Sequence, residues 1–290
     1  MNYTVSVAIA IAFVLLAPFA GCLLAGIDRK VAARMQNRQG PPLKQPWYDV
    51  RKFLAKERSA PNRFQDFYVL CYLAWIVVTG AMFFAGMDLL LIFFTLTLAE
   101  TLLILAAYST GSPFAQVGAQ REIYMAMAYE PMILMVAIGF YLVGDSFFVD
   151  DIARDGDMAV IPMIGLFIGF VFILTMKLRK SPFDLSMSHH AHQDIVRGVS
   201  TEFSGRTYAM LEISHWYESI MLLGLVALFF QNGEWSGFIL GTIVAIIVFL
   251  LETWIDNGFA RMKWQTAFKS GWIAALILGL GNIAVLLVIA

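Results

Sequence analysis

Apolar runs of about 20 residues recur along the whole chain, and each is long enough to cross about 30 Å of hydrocarbon as a helix. A backbone crossing lipid must satisfy its own polar groups, so runs of this kind leave helices as the economical solution. Hydropathy places eight of them, at roughly 3–27, 67–86, 88–108, 122–144, 159–178, 210–230, 237–254 and 270–289. The expected class is therefore an all-α membrane protein with about eight transmembrane helices. The second and third runs are separated only by the turn around Gly86, Met87 and Asp88, which predicts a tight helical hairpin. Composition agrees: 60% of the 290 residues are hydrophobic and 14% are charged, against about 25% charged in an ordinary soluble domain. No internal repeat is visible, and residues 1–290 read as a single polytopic membrane domain. The first run is too long for a signal peptide and lacks its basic front end, so a retained span is expected there.

Basic residues set the orientation. When the connecting segments are numbered alternately from outside, the inner set is 28–66, 109–121, 177–209 and 255–269, and it holds 19 of the 20 Lys and Arg residues. Only Arg154 falls outside, in a segment that also carries Asp145, Asp150, Asp151, Asp155 and Asp157. That asymmetry predicts both termini outside and long cytoplasmic loops after spans 1 and 5. Trp47, Trp75, Trp235, Trp254 and Trp264 fall near the predicted interfaces, where such rings concentrate.

Carboxylates stand where lipid should exclude them. Glu100, Glu122, Glu130, Glu212, Glu218 and Glu252 lie in or near apolar runs, with His215 between Glu212 and Glu218 and with Asp256 just beyond Glu252. Each charged group at mid-bilayer costs about 2.5–3.5 kcal/mol, so three or four submerged together cost on the order of 10 kcal/mol. Two compensations are open. Each Glu can hydrogen-bond a neighbouring helix and fix packing, or the set can form a hydrated proton path, because burial moves carboxylates toward proton exchange near neutral pH. His215 suits a relay because an imidazole already titrates near neutrality. The pairs Gly165/Gly169 and Gly237/Gly241 read as close-packing positions.

Two inner segments are long and polar. The first, 28–66, carries ten basic residues, an interruption at Gly40-Pro41-Pro42 and a stretch from Trp47 to Lys56 that predicts a short amphipathic helix. It can bind anionic headgroups or dock a soluble partner, and its length favours docking. The second, 177–209, contains His189, His190 and His192 close to Asp194. Metal binding, proton handling or partner contact, and a plain solvated loop are the three readings. Ligand spacing is poor for the first. Cys22 and Cys71 form no metal or disulfide pattern, and neither a Rossmann glycine motif nor a phosphate loop is present. No redox cofactor is expected on this chain.

Several stretches are similar to one family. Arg34 to Pro42 (RMQNRQGPP), Gln45-Pro46 and Asp49 to Glu57 (DVRKFLAKE) resemble the first loop of the complex I subunit-1 family, and Arg121 with Tyr129-Glu130 resembles its fourth-span motif, whose Glu belongs to the family's proton path. Ser181 to Leu185 (SPFDL) and Gly198 to Gly205 (GVSTEFSG) bracket its signature loop. Between the brackets, quinone-reducing members usually carry a glutamate-rich run. This chain has SMSHHAHQ from Ser186 to Gln193, about three residues longer, before Asp194. That form resembles the membrane subunit of Ech-type energy-converting NiFe hydrogenases, in which ferredoxin and protons replace quinone.

The resemblance implies a non-catalytic membrane anchor and ion-coupling subunit of a prokaryotic cytoplasmic-membrane complex, linking ferredoxin/H2 electron transfer to movement of H+ or Na+. It implies partners: hydrogenase large and small subunits, a ferredoxin-like iron–sulfur subunit and an antiporter-like membrane subunit, with the NiFe centre and iron–sulfur clusters on those partners. The expected proton path is Glu100, Glu122, Glu130, Asp184, Asp194, Glu202, Glu212, His215, Glu218, Glu252 and Asp256. The expected docking and coupling set is Arg34, Arg38, Arg121, His189, His190, His192 and Arg197. The alternatives are a quinone-reductase membrane subunit and a stand-alone secondary transporter.

Overall fold

A computed structural model describes residues 3–57, 62–187 and 197–289. His189, His190, His192 and Asp194 lie outside the described residues. The chain is helical from end to end: α1 (Tyr3–Met35), α2 (Gln45–Ala55), α3 (Arg63–Phe84), α4 (Leu89–Tyr108), α5 (Pro113–Gly144), α6 (Val149–Arg154), α7 (Ile164–Lys177), a 3-10 turn (Gly198–Ser200), α8 (Arg206–Leu228), α9 (Trp235–Gly258), α10 (Trp264–Ala274), a π-helical turn (Ala275–Leu280) and α11 (Gly281–Ile289). The last three run as one rod.

A helix stands at each of the eight expected spans. Six of them are long and apolar enough to cross a membrane: α1, α3, α4, α5, α9 and the α10–α11 rod. The other two differ for physical reasons. Helix α7 starts after Pro162 and has 14 residues, about 21 Å of rise, less than a bilayer's hydrocarbon. Helix α8 has 23 residues but carries Arg206, Glu212, His215 and Glu218.

Helix boundaries extend further than hydropathy suggests. Helix α5 begins at Pro113, the favoured first helical position for proline, so Arg121 is helical rather than in a loop and Glu122 lies well inside the helix. Helix α1 continues through Asp28 to Met35, because nothing breaks it before Asn37 takes a positive φ. The α3–α4 hairpin turns at Gly86, which has φ +80°, and the Asp88 carboxylate caps α4 by accepting from Leu91 N. Helix α2 is the expected amphipathic segment: Pro46 and Val50 are buried while Trp47, Tyr48 and Leu54 are exposed.

Helices α3, α4, α5 and α8 pack consecutively around the centre, with α1, α7, α9 and α10 against them. Large apolar side chains on α1, α9 and α11 (Leu15, Leu16, Ile247, Val288) face outward, as a lipid-facing surface requires. The segment after α7 does not leave the bundle. Phe183, Asp184, Leu185, Ser186 and Met187 are all buried, and Ser186 O accepts from Val199 N at 3.0 Å. This plug sits against α5 so closely that a Cβ on Gly118 would lie 2.5 Å from Val199 N, and one on Gly198 would strike Ser186 O.

Candidate functional site

A buried charge network occupies the centre. Tyr72, Glu122 and His215 each lie nine residues past the starts of their helices at Arg63, Pro113 and Arg206, about 13 Å in from the basic end of the bundle. Glu100 on α4 reaches the same layer, eight residues before Tyr108. The short α7 delivers its last residue, Lys177, into that layer, and the following turn adds Arg179.

Lys177 forms a salt bridge to Glu100, with both side chains 3% exposed. Its Nζ is 3.8 Å from Glu218 Oε1 and 4.8 Å from the centre of the Tyr129 ring. The Tyr129 hydroxyl donates to Glu100 Oε2. Arg179 places Nε and Nη2 at 2.9 and 2.7 Å from Glu122 Oε1, and Nη1 at 3.8 Å from Glu218 Oε2 and 3.1 Å from His215 Nε2. The Tyr72 hydroxyl donates to Glu218 Oε2 at 3.2 Å. Burial opposes the Arg179 charge, and the Glu122 and Glu218 carboxylates around the guanidinium offset that cost. Three carboxylates against two cations leave the network with one negative charge in excess when all five groups are ionised and His215 is uncharged.

Two small cavities touch the network. One, of about 110 Å3, is lined by Lys177, Arg179, Glu212, His215, Glu218 and other residues. The other, of about 80 Å3, lies between α4 and α5 and is lined by Lys177, Thr97, Tyr129 and Glu130 among others. Each exceeds the roughly 15 Å3 that one water needs, and each has several polar side chains in its lining to hold it.

A second cluster lies at the basic end of α9. Lys180 Nζ is 2.6 Å from Asp28 Oδ1 and 3.1 Å from the Thr253 hydroxyl, and Thr253 donates to Asp28 at 2.5 Å. Asp256 accepts from Ser181 N at 2.7 Å. Glu252 is fully buried; neither of its oxygens meets a donor of good geometry among the described residues, although the Thr175 hydroxyl faces it. Asp184 in the plug pairs with Arg261, 3.3 Å from its Nε, and Arg261 also donates to the Asp184 carbonyl at 2.7 Å.

The expected path residues therefore separate. Glu100, Glu122, His215 and Glu218 meet directly through Lys177 and Arg179, while Glu212 and Glu130 line the adjoining cavities. Glu252 and Asp256 belong to the α9 cluster. Glu202 is half-buried after the 3-10 turn. Of the expected docking residues, Arg34, Arg38 and Arg197 are exposed, with Arg197 stacked over the Tyr208 ring at 5.3 Å. Arg121 lines an open recess of about 1050 Å3 and lies 3.5 Å from the plug carbonyl Leu185 O. Among the described residues no group of three His, Cys, Asp or Glu side chains is placed to hold a metal ion.

Sequence reasoning missed Lys177, Arg179, Lys180, Asp28, Tyr72 and Thr253 as network members. The KLRK stretch reads as an interface marker. The contrary signal is the run's length: counted from Pro162, it is too short to carry Lys177 out of the bundle.

The chain has relatives. The family profile described as NADH dehydrogenase matches residues 7–287. Hydrogenase-4 component C of Escherichia coli K12 is 25% identical over 276 residues, covering 87% of each chain. An NADH-quinone oxidoreductase subunit of Methylococcus capsulatus is 29% identical over 313 residues, covering 97% of this chain and 96% of its own. Among solved structures, a chain of the membrane-bound sulfane sulfur reductase, an archaeal respiratory membrane complex, superposes with a TM-score of 0.80 at 22% identity, covering 97% of this chain and 100% of that one.

Proposed function

The chain belongs to the NADH dehydrogenase family of complex I subunit-1 membrane proteins, and we propose that within it this chain is the membrane anchor and ion-coupling subunit of an energy-converting NiFe hydrogenase complex. It is a multi-pass membrane protein whose relatives are subunits of oxidoreductase complexes. In our reading it has eight spans with both termini outside, in a prokaryotic cytoplasmic membrane. The segments 28–66 and 177–209 dock hydrogenase large and small subunits, with a ferredoxin-like iron–sulfur subunit beyond them and an antiporter-like partner next to the bundle. The NiFe centre and iron–sulfur clusters reside on those partners. Relatives named as a hydrogenase-4 component and a formate hydrogenlyase subunit favour hydrogen chemistry.

One observation carries the coupling role: the plug 178–187, buried from Phe183 to Met187, is covalently continuous with Lys177 and contains Arg179, and these two cations hold Glu100, Glu122 and Glu218. Redox turnover in a module docked over the plug shifts its charge or position. One unit charge at 4 Å is worth roughly 4 kcal/mol at an effective dielectric of 20, enough to move a proton between neighbouring groups. A rearranged plug therefore changes which carboxylates of the network are protonated. H+ is the ion these groups handle most directly, and Na+ is the alternative cargo.

The quinone-reductase reading rests on the NADH-quinone oxidoreductase relatives, one of which aligns over nearly all of the chain. Purification with native partners separates the two. A NiFe large subunit and H2-linked ferredoxin turnover support the hydrogenase; turnover blocked by quinone-site inhibitors overturns it. Within the complex, Glu130→Gln, Glu202→Gln and Glu212→Gln are expected to assemble and to lower ion translocation. Undiminished translocation in all three would leave a passive anchor.

A further inference from the structure

Lys177 stands out because it borders both cavities, one from each side. On one side are Glu212, His215 and Glu218; on the other are Thr97 and Glu130. The second cavity is also walled by Phe94 and Leu134, which are exposed on the outer face of α4 and α5. The lysine therefore separates an interior space from one that approaches the α4–α5 surface.

We propose that the Lys177 ammonium is the proton carrier between these two spaces, a deepening that rests on the coupling role given above. The groups facing it are Glu100 from α4, Tyr129 from α5 and Glu218 from α8, with Arg179 beside them. Arg179 cannot take the part, since a guanidinium does not release its proton in proteins, whereas a buried ammonium does. In the forward step an N–H bond of Lys177 breaks and an O–H bond forms on a water in the Glu130 cavity, which passes its proton to the Glu130 carboxylate. Glu218, protonated from the Glu212–His215 cavity, then gives its proton to the neutral amine 3.8 Å away: its O–H bond breaks, the N–H bond of Lys177 re-forms, and one proton has passed from that cavity to Glu130. Glu100 remains paired to the site throughout and receives the Tyr129 hydroxyl bond, so it compensates the charge when the ammonium is present.

The test is Lys177→Arg in the complete complex, reconstituted in vesicles with a pH-sensitive dye inside. Arginine keeps the positive charge and its pairs but cannot give up a proton. The variant is expected to assemble, and its proton translocation to fall by about 100-fold or more. Translocation at the wild-type rate would overturn the proposal and make Lys177 a holding charge. Because arginine is larger, Lys177→Met combined with Glu100→Gln provides a neutral pair of similar bulk, also expected to assemble without pumping; pumping by that pair overturns the proposal too. Glu130→Gln is run alongside. If it is impaired while Lys177→Arg pumps normally, the lysine step alone is wrong. If both pump normally, and Glu202→Gln and Glu212→Gln do as well, the coupling reading falls with it.

Discussion

The Arg179–Glu122 pair illustrates what a buried ion pair does for a membrane protein. Both side chains are nearly inaccessible, and the guanidinium also contacts His215 and Glu218. Removing one partner leaves the other uncompensated in a low-dielectric interior, a cost of about 3–5 kcal/mol. Glu122→Gln is accordingly expected to lower the thermal transition of the purified complex strongly. Adding Arg179→Met should recover part of the loss, because an apolar replacement of both partners is often neutral. Glu252 should respond in the opposite direction. It is fully buried without a well-placed donor among the described residues, so Glu252→Met, similar in length, is expected to raise stability by about 1–3 kcal/mol. The same melting measurement checks it, and a loss of stability would mean that the carboxylate has a bonding role that its geometry does not reveal.

At the scale of elements, the decisive piece is α7 with the plug that follows it. Its brevity places a lysine at the level where three other helices present carboxylates. The plug is then locked by two close backbone approaches, Gly118 against Val199 and Gly198 against Ser186. Gly198 also has φ +40°, which any side chain resists. Gly198→Ala is expected to cost about 1–3 kcal/mol through overpacking and to loosen 178–187 selectively. Limited proteolysis should then cut the plug faster than the α3–α4 hairpin. Equal cutting rates would mean that the plug does not depend on this contact. Here the sequence is informative only in part. Glu100, Glu122, Glu218 and His215 stand out because charge in an apolar run is costly. Lys177 and Arg179 do not, since basic residues at a helix end are what the membrane interface favours. Tyr72 is invisible for a third reason: an aromatic in a span is ordinary, and its bond to Glu218 depends on how α3 meets α8. Glu252 reads as a member of the same path, but α9 presents it to Thr175 and Lys180, a relation fixed by tertiary packing.

Across the whole molecule, positions of helices are legible because hydropathy depends on composition alone, whereas helix ends are not. Pro113 and Pro162 move two of them by several residues, lengthening α5 and shortening α7. Orientation rests on a further whole-chain property, the concentration of 19 of 20 basic residues on one side. The proposed coupling depends on it, because in that reading the plug and the network's basic end face the soluble redox module. Two exposed positions report on it: Asp157, between α6 and α7, and Lys263, between α9 and α10. The background is simple to remove, since Cys22 is buried, Cys71 is half-buried and both are free thiols. With Cys22→Ala and Cys71→Ala in place, Asp157→Cys is expected to react in intact cells with a thiol reagent that does not cross membranes. Lys263→Cys should react only after permeabilisation. The reverse pattern would turn the bundle over, place the plug on the outer face and remove the route by which a cytoplasmic hydrogenase could drive Lys177 and its carboxylates.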